Sequence, residues 1–100
     1  MHARMTTIHM DAGRIDQAVS RVEEEELPTW KELEGFQGFT LFADRSSGEV
    51  IGISYWDSKE HMDAAEETVK ASRERAAEAG GATGEPQVEV FEVALDTFVR

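Results

Sequence analysis

The segment from residue 35 to residue 57, GFQGFTLFADRSSGEVIGISYWD, constrains the fold of this chain more than any other segment. It contains two runs rich in aromatic and β-branched residues, Phe36–Ala43 and Val50–Trp56, joined by the polar loop Asp44–Gly48. The side chains of a strand alternate between its two faces, and a tight turn often needs a glycine at positive φ. The segment therefore predicts a β-hairpin, with Phe36 and Phe42 on the same face of its first strand.

A helical pattern precedes the hairpin. Apolar residues recur at helical spacing from Ile15 to Val22, and Pro28 predicts that this helix ends just before it, because proline lacks the N–H that a helix interior needs. Pro28 suits the first turn of a short second helical piece. The acidic run Glu23–Glu26 is expected to be the solvated end of the first helix.

A second helical pattern follows the hairpin. Asp57 stands three residues before Glu60, which is the spacing of a capping box and predicts a helix start. An apolar stripe then runs from Met62 to Ala76, and the glycines from Gly80 onward predict its end.

Two further strands are predicted, over residues 4–10 and 88–95. The order β-α-β-β-α-β predicts a single α+β domain over residues 1–100, ferredoxin-like, with an antiparallel four-stranded sheet and two helices on one face. The strands carry apolar residues on both faces, whereas two helices cover one face only. We therefore expect a homodimer formed through the second sheet face.

Charge and composition exclude several classes of function. The net charge is −11, so nucleic acid and anionic membranes are not expected as partners. There are no cysteines, which excludes disulfides and thiolate metal sites and fits a cytoplasmic protein. No apolar run approaches the ~20 residues of a membrane span. Neither His9 nor His61 has a second metal ligand at helical or strand spacing, so no metal site is expected.

Four short motifs carry a family resemblance. They are Gly35–Gly38 (GFQG), the hairpin loop Asp44–Gly48 (DRSSG), Trp56–Ser58 (WDS) and Val88–Val93 (VEVFEV). With these motifs the chain resembles the antibiotic biosynthesis monooxygenase superfamily of dimeric α/β barrels, and the resemblance covers nearly the whole chain.

The resemblance implies a pocket between the sheet and the helices, with Trp56 in its wall. Enzymes of this superfamily oxygenate aromatic polyketides without metal or flavin, or degrade haem, and relatives are cyclases, isomerases or proteins without known activity. The chain contains no asparagine, the residue that holds substrate or oxygen in several members. Residues 64–67, where the haem-degrading members have their ligating histidine, include none. Haem degradation is therefore disfavoured, and no cofactor is expected.

Two residues are candidates for catalysis. His9 is expected to share a strand face with Met5 and Thr7; if that face lines the pocket, His9 is a general base, and otherwise it bonds across the sheet or at the dimer interface. Arg73 is a candidate for stabilising an enolate or phenolate, and the alternative is pairing with nearby glutamates. Arg75 cannot share its helix face. His61, near the start of the second helix, is expected to be a surface residue, and the alternative is a base in the reaction.

The predicted pocket is apolar and is lined by Trp56, Trp30, Phe42 and Met62. The indole rings are expected to stack on a flat ligand, and an indole N–H is a candidate donor to an oxygen atom. Three functions remain open. The first is a cofactor-independent monooxygenase-like protein acting on a flat aromatic or polyketide-like molecule. The others are a non-catalytic homodimer that binds a small apolar ligand or assists another protein, and a cyclase or isomerase that transfers only protons.

Overall fold

A computed structural model describes residues 1–98 of the chain, so the last two residues of the predicted domain lie outside the described part. The strands are β1 (His2–His9), β2 (Phe36–Asp44), β3 (Glu49–Trp56) and β4 (Gln87–Glu92). The helices are α1 (Ile15–Arg21), α2 (Leu27–Trp30), α3 (Lys59–Ala64) and α4 (Glu66–Ala79). A 3₁₀ turn (Ala12–Arg14) precedes α1, and a π-helical turn (Val22–Glu26) joins α1 to α2.

The four strands form one antiparallel sheet in the order β2-β3-β1-β4, and the helices pack on one of its faces. The central strand β1 pairs on both sides: Met5 lies opposite Ile53 of β3 and opposite Glu89 of β4. The predicted α+β ferredoxin-like fold is confirmed. The predicted last strand is too long, because β4 ends at Glu92 and Leu95 beyond it is 84% exposed.

The hairpin of β2 and β3 is present as predicted. Its loop closes through a hydrogen bond of 2.9 Å from the Gly48 amide to the Asp44 carbonyl, and Gly48 has a φ of 85°. The Asp44 carboxylate accepts from the amide and the hydroxyl of Ser46 at 3.0 and 2.7 Å. These contacts hold the pKa of Asp44 below its usual value.

One prediction about β2 is wrong. The pairing register shifts by one residue between Phe36 and Gly38, which places a β-bulge at the start of the strand. Phe36 therefore lies on the helix side, where its ring centroid is 5.4 Å from that of Trp56. Phe42 stays on the opposite face. A two-residue period cannot hold across a bulge, because the extra residue reverses the facing of everything before it.

The first helical segment, from α1 to α2, bends at the π-helical turn. The Leu27 amide donates to the Val22 carbonyl five residues earlier, rather than four, and Pro28 stands in the first turn of α2. Proline has no N–H and its ring collides with the carbonyl four residues before it, so a wider turn accommodates Pro28 without ending the helical path.

Glu26 is buried, which contradicts the predicted solvated end of the helix. Its side chain is 3% exposed and accepts two hydrogen bonds from Arg75, at 2.7 and 2.8 Å, and one from Arg21 at 3.0 Å. The Ser72 hydroxyl also donates to it, at 2.8 Å, and accepts in turn from the Trp30 indole N–H at 3.0 Å. The paired arginine Arg75, more than any other contact, lowers the pKa of Glu26 to about 2.

The second helical segment, from α3 to α4, begins one residue later than predicted. Ser58, rather than Asp57, is the N-cap, and its hydroxyl accepts from the His61 amide at 3.2 Å. The helix breaks at Ala65 between α3 and α4. It ends at Gly80, as predicted.

The core lies between the sheet and the helices, in two clusters of buried side chains. One is built around Trp30, Trp56 and Met62, and the other around Ile8 and Ile15. Trp56, Met62 and Ile15 have no exposed surface. Burying side chains of this size contributes about 1.5–3 kcal/mol each, so these clusters are a principal source of the stability of the fold.

The second face of the sheet is not covered by helices. Phe42 of β2 is 53% exposed and Phe91 of β4 is 48% exposed. Half-buried Ile51 and Ile53 lie on β3, between these two edge strands. At one end the rings of Tyr55 and Phe98 meet edge to face at 5.2 Å.

We predict that Glu26→Gln lowers the free energy of unfolding by about 3 kcal/mol at neutral pH. The pKa of Glu26 is about 2 in the folded chain against 4.5 without its partners, and each pKa unit corresponds to about 1.4 kcal/mol. Because the folded pKa is depressed, this stability is present above pH 4.5 and is lost as the pH falls through the folded value. Urea denaturation at a series of pH values measures it.

Glu25→Gln is the matched control. Glu25 lies on the same turn and also contacts Arg21, but it is 55% exposed. An exposed ion pair contributes little, so we expect a change within about 0.5 kcal/mol. Equal losses for the two variants, or a wild type whose acid sensitivity matches that of Glu26→Gln, would contradict the assigned role of Glu26.

Candidate functional site

A cavity of about 60 Å³ lies between the sheet and the helices. Its walls are mainly apolar and include Ile8, Trp30, Phe39, Leu41 and Val69. The polar side chains that reach it are those of four residues: Arg4, Thr6, Ser54 and Arg73. A concave, mainly apolar site with a few polar groups has the character of a small-molecule site.

Strand alternation explains which residues reach the cavity. On β1 these are Arg4, Thr6 and Ile8, which share the face that packs against the helices. On β3, Gly52 lies in the cavity floor, and a Cβ atom there would stand 3.1 Å from the Phe39 ring. Glycine at this position therefore lets the Phe39 ring lie across the sheet and form part of the wall.

Arg4 is the most buried cation of the site, with 3% of its side chain exposed. Its Nη2 atom donates to the Met62 carbonyl at 3.1 Å and lies 2.8 Å from a Glu66 oxygen. Its Nε and Nη1 atoms are buried and have no hydrogen-bond partner in residues 1–98. Burial lowers the pKa of the Arg4 guanidinium and Arg73 adds to this, while Glu66 opposes it. The group remains a cation, as arginine does in proteins.

Arg73 of α4 stands beside Arg4 at the cavity wall. Its side chain is 10% exposed, and its Nη2 atom donates to the second oxygen of Glu66 at 3.0 Å. One half-exposed carboxylate therefore bridges two buried guanidinium groups. The local charge is positive by one unit at the edge of an apolar cavity.

The predicted pocket residues fall into three groups. Trp30 lies in the cavity wall. Trp56 and Met62 are fully buried in the core cluster beside it, without lining it. Phe39 faces the cavity, and Phe42 is three residues further along the same strand. Since side chains alternate between the two faces of a strand, Phe42 lies on the opposite sheet face. The placement of Phe42 in the pocket is therefore corrected.

Both indole N–H groups are already engaged. Trp56 donates to the Ser54 hydroxyl at 2.9 Å, and Trp30 donates to the Ser72 hydroxyl at 3.0 Å. Neither is free to hold a ligand oxygen in this conformation. The Ser54 hydroxyl, which accepts from Trp56 and lines the cavity, is left with its own hydrogen to donate.

His9 does not face the cavity. It shares its strand face with Met5 and Thr7, as predicted, but this is the face away from the helices. Its side chain is 57% exposed, and its Nε2 atom lies 3.9 Å from a Glu49 oxygen of the neighbouring strand. His9 thus has a long cross-strand contact with Glu49 that exceeds hydrogen-bond distance, and its placement as a base in the pocket is corrected.

His61 lies at the start of α3, outside the cavity. Its Nδ1 atom is 2.6 Å from the Asp57 carboxylate, and its Nε2 atom is 3.3 Å from that of Glu34. The hydrogen bond to Asp57 raises the pKa of His61 above its ordinary value. Gly35, at a φ of 85°, makes room for this pair, since a Cβ atom there would lie 2.6 Å from that of His61.

The arginines of α4 point in different directions, as their spacing predicts. Arg73 reaches the cavity wall and also pairs with Glu66, so it combines the two alternatives considered for it. Arg75 turns to Glu26 at the other side of the helix.

Sequence reasoning missed the role of Arg4. The signal was present, since Arg4 alternates with Thr6 and Ile8 on β1 just as His9 does with Met5. An arginine on the same strand face as an isoleucine predicts a buried cation once that face is known to be covered.

Residues 1–98 offer neither a metal site nor a helix that could span a membrane. No group of three or more His, Cys, Asp or Glu side chains there is arranged to hold a metal ion. None of the helices in this part of the chain is long and apolar enough to cross a membrane.

Comparison with known sequences finds relatives but no described family. No family model matches the chain. It is 37% identical over 94 residues to Rv2557, an uncharacterized protein of Mycobacterium tuberculosis strain H37Rv. The match covers 94% of this chain and 41% of that protein, so the chain spans about two-fifths of the length of the curated relatives it matches.

Comparison with solved structures identifies the fold. A monooxygenase from the gene ActVA-Orf6 of Streptomyces coelicolor, in complex with nanaomycin D, superposes with a TM-score of 0.79 at 16% identity, over 99% of this chain and 92% of that one. An antibiotic biosynthesis monooxygenase gives 0.69 at 15% identity, over 95% and 100%. The haem degrader MhuD of Mycobacterium tuberculosis, with two haems bound, gives 0.69 at 24% identity, over 98% and 100%.

The chain therefore has the fold of the antibiotic biosynthesis monooxygenase structures. The resemblance found in its sequence is confirmed at the level of the fold. Sequence identities this low establish the shared architecture and leave the activity to be argued from the site.

We predict that Asp57→Asn lowers the pKa of His61 towards 6.5, because the hydrogen bond to Asp57 is the largest cause of its elevation. A raised folded pKa means that this contact adds stability below pH 6.5 and that the gain is lost as the pH rises through the folded value. An NMR titration of the His61 ring protons measures the shift.

Glu34→Gln is the comparison variant for this titration. Glu34 is 84% exposed and lies farther from the ring than Asp57 does, so we expect a smaller change. A His61 pKa that is the same in the wild type and in Asp57→Asn would rule out the proposed pairing.

Proposed function

We propose that this chain is a cofactor-independent monooxygenase-like protein that acts on a flat aromatic or polyketide-like molecule in the cavity beside Arg4 and Arg73. The observation that carries the proposal is a buried guanidinium pair with one surplus positive charge at the wall of an apolar cavity. The shared fold with the ActVA-Orf6 monooxygenase, which was solved in complex with nanaomycin D, supports a monooxygenase-like function.

The chemistry requires a stabilised oxyanion. A phenol or an enolisable ketone loses a proton, and the resulting carbanion donates electrons to molecular oxygen. The hydroperoxide that forms expels water and leaves a new carbonyl group, so one oxygen atom enters the product, the other becomes water, and the substrate supplies all the electrons. Arg73 and Arg4 stabilise the phenolate or enolate oxygen, because cationic donors in a water-poor site interact strongly with developing negative charge.

The proton does not go to His9 in this scheme, because His9 faces the other side of the sheet. The two guanidinium groups instead lower the pKa of a bound phenol or enol, since a nearby opposite charge favours the ionised form. A water molecule that enters with the substrate then suffices as proton acceptor.

The size of the cavity limits what enters it. Its 60 Å³ is less than half of the roughly 150 Å³ of an engineered apolar cavity that binds benzene. In the proposed complex only the reacting edge of the substrate reaches the arginines, and Trp30 and Phe39 move apart to admit the rings.

The residues of the site do not fit a haem. No histidine lines the cavity in the described part of the chain, and His61 lies outside it, held by Asp57 and Glu34. Met10, which does line it, is buried in the second core cluster. The haem carried by MhuD therefore has no counterpart in the proposed mechanism.

A second candidate function is supported by one specific observation. The ionisable side chains at the cavity wall are both arginines, and neither a carboxylate nor a histidine lines it within residues 1–98. A site without a side-chain base also suits a dimer that binds a small ligand without transforming it. A cyclase or isomerase fits less well, because proton transfer is the whole of its reaction.

We predict oxygen consumption with anthrone, a flat enolisable ketone whose methylene carbon becomes a carbonyl with release of one water. An oxygen electrode measures uptake, and absorbance measures the anthraquinone formed. Arg73→Met is expected to lower kcat/KM about a hundredfold, the effect typical of losing one preorganised donor to an oxyanion.

Arg45→Met is the control for this experiment. Arg45 lies on the hairpin loop, is 60% exposed and pairs with Asp16, so its loss changes the net charge equally without touching the cavity. Anthrone that binds without oxygen uptake would favour the ligand-binding function. Product formation without oxygen uptake would favour proton transfer alone.

We further propose that the uncovered sheet face pairs with a second copy of the chain. Half-exposed Phe42 and Phe91 flank this face, and it presents Ile51 and Ile53 between them. An apolar sheet face of this kind is stable in water when it is covered, and a two-fold pair covers both copies at once.

The wild-type chain is therefore expected to elute as a dimer, and Phe42→Asp as a monomer, in size-exclusion chromatography with light scattering. A charge within an apolar interface loses its hydration, which opposes association. Thr29→Asp makes the same charge change at an exposed position of α2, on the helix side of the sheet, and should remain dimeric. A monomeric wild type, or a dimeric Phe42→Asp, would refute the pairing through this face.

A further inference from the structure

Arg4 has unused hydrogen-bonding capacity in a place that water reaches poorly. Within residues 1–98 the buried side-chain atoms without a partner are Nδ1 of His2 and Nε and Nη1 of Arg4. A guanidinium group has five N–H donors, and the contacts of Nη2 with Met62 and Glu66 account for two of them. Three donors of a 97%-buried cation therefore remain open, and an unsatisfied buried charge is costly.

The charges around Arg4 indicate what charge its missing partner should carry. Arg4 and Arg73 share the single carboxylate of Glu66. The next carboxylate, Asp63, is neutralised by Lys59 at 2.8 Å. The cluster therefore lacks one negative charge, which a monoanion supplies and a dianion exceeds.

We propose that Arg4 is the anion subsite of the cavity and that the ligand class is a small monocarboxylate. Its carboxylate accepts from the open Nε and Nη1 donors of Arg4, and its apolar part lies against Ile8 and Phe39. The proposal rests on the proposed use of this cavity as the ligand site, and it adds a class of ligand to it.

Two features favour a carboxylate over other anions. Arginine donors bind the planar oxygens of a carboxylate with good geometry. The walls away from Arg4 and Arg73 are apolar, which suits the hydrocarbon part of a short acid and disfavours a phosphate that carries two charges.

A purely structural role for Arg4 makes a different prediction. If Arg4 served only to join β1 to the Met62 carbonyl and to Glu66, replacing it would destabilise the chain. If its open donors await a ligand, Arg4→Met removes an unsatisfied buried cation, and Glu66 keeps its contact with Arg73. The variant then melts at the wild-type temperature or above and loses anion binding, a trade of stability against function.

The test is an NMR titration of the full chain with butyrate and, separately, with butyramide, its neutral counterpart of nearly equal shape. Backbone amide shifts of Arg4, Thr6 and Ser54 report on the cavity. We expect butyrate to give saturable shifts there and butyramide to give none. Inorganic phosphate, titrated at pH 8 where it is mainly a dianion, is expected to bind more weakly than butyrate at the same pH.

The variants assign the binding to Arg4. Arg4→Met is expected to weaken butyrate binding at least about tenfold, the loss of a charge-assisted hydrogen bond. Arg45→Met, with the same change of net charge on the hairpin loop, is expected to bind as the wild type does.

Several outcomes overturn the proposal. They are equal shifts with butyrate and butyramide, no shift with butyrate, tighter binding of phosphate, and butyrate binding that persists in Arg4→Met. If Arg4→Met does not fold, the comparison of butyrate with butyramide on the wild type decides alone. None of these measurements involves oxygen, so uptake with anthrone can succeed or fail independently of them.

Discussion

The arrangement of the helices over the sheet depends on the buried carboxylate of Glu26. It joins the α1–α2 segment to α4, because its donors come from Arg21 of α1 and from Ser72 and Arg75 of α4. A buried carboxylate is stable only when its oxygens accept hydrogen bonds, so α1–α2 and α4 must pack in the one arrangement that brings these donors to Glu26. Through Ser72 the same network holds the indole of Trp30, which is part of the cavity wall. The contact that secures the fold therefore also sets the shape of the site.

Glu26 and Arg4 are the two most informative buried charges of the chain, and they differ in how completely they are satisfied. Glu26 receives hydrogen bonds on both oxygens and has a depressed pKa, which is the mark of a stabilising charge. Arg4 has two atoms without partners and stands at a cavity. This incomplete satisfaction is the observation from which we infer that the last partner of Arg4 is a ligand. The difference distinguishes a charge that stabilises the fold from a charge to which we assign a ligand.

Local patterns predicted the elements and failed where an irregularity intervened. The hairpin and the order of strands and helices follow from alternation, helical spacing and the positions of Pro28 and the glycines. Phe36 was placed on the wrong face because a β-bulge reverses alternation, and nothing in the letters of the sequence marks the extra residue. The cap was assigned to Asp57 rather than Ser58, since both residue types cap helices and only the backbone geometry distinguishes them. Of the candidate site, Trp30 and Arg73 reach the cavity, and the rest lies elsewhere.

The sequence by itself determined the order of the strands and helices and, on β1, which residues share a strand face. It thus grouped His9 with Met5 and Thr7, and by the same alternation Arg4 with Thr6 and Ile8. Only the tertiary structure decided which of these two groups the helices cover. That choice depends on long-range packing, in which residues far apart in the chain, such as Glu26 and Arg75, come into contact. It placed His9 in solvent and Arg4 in the cavity, because burial is a property of the assembled layers and not of a strand alone.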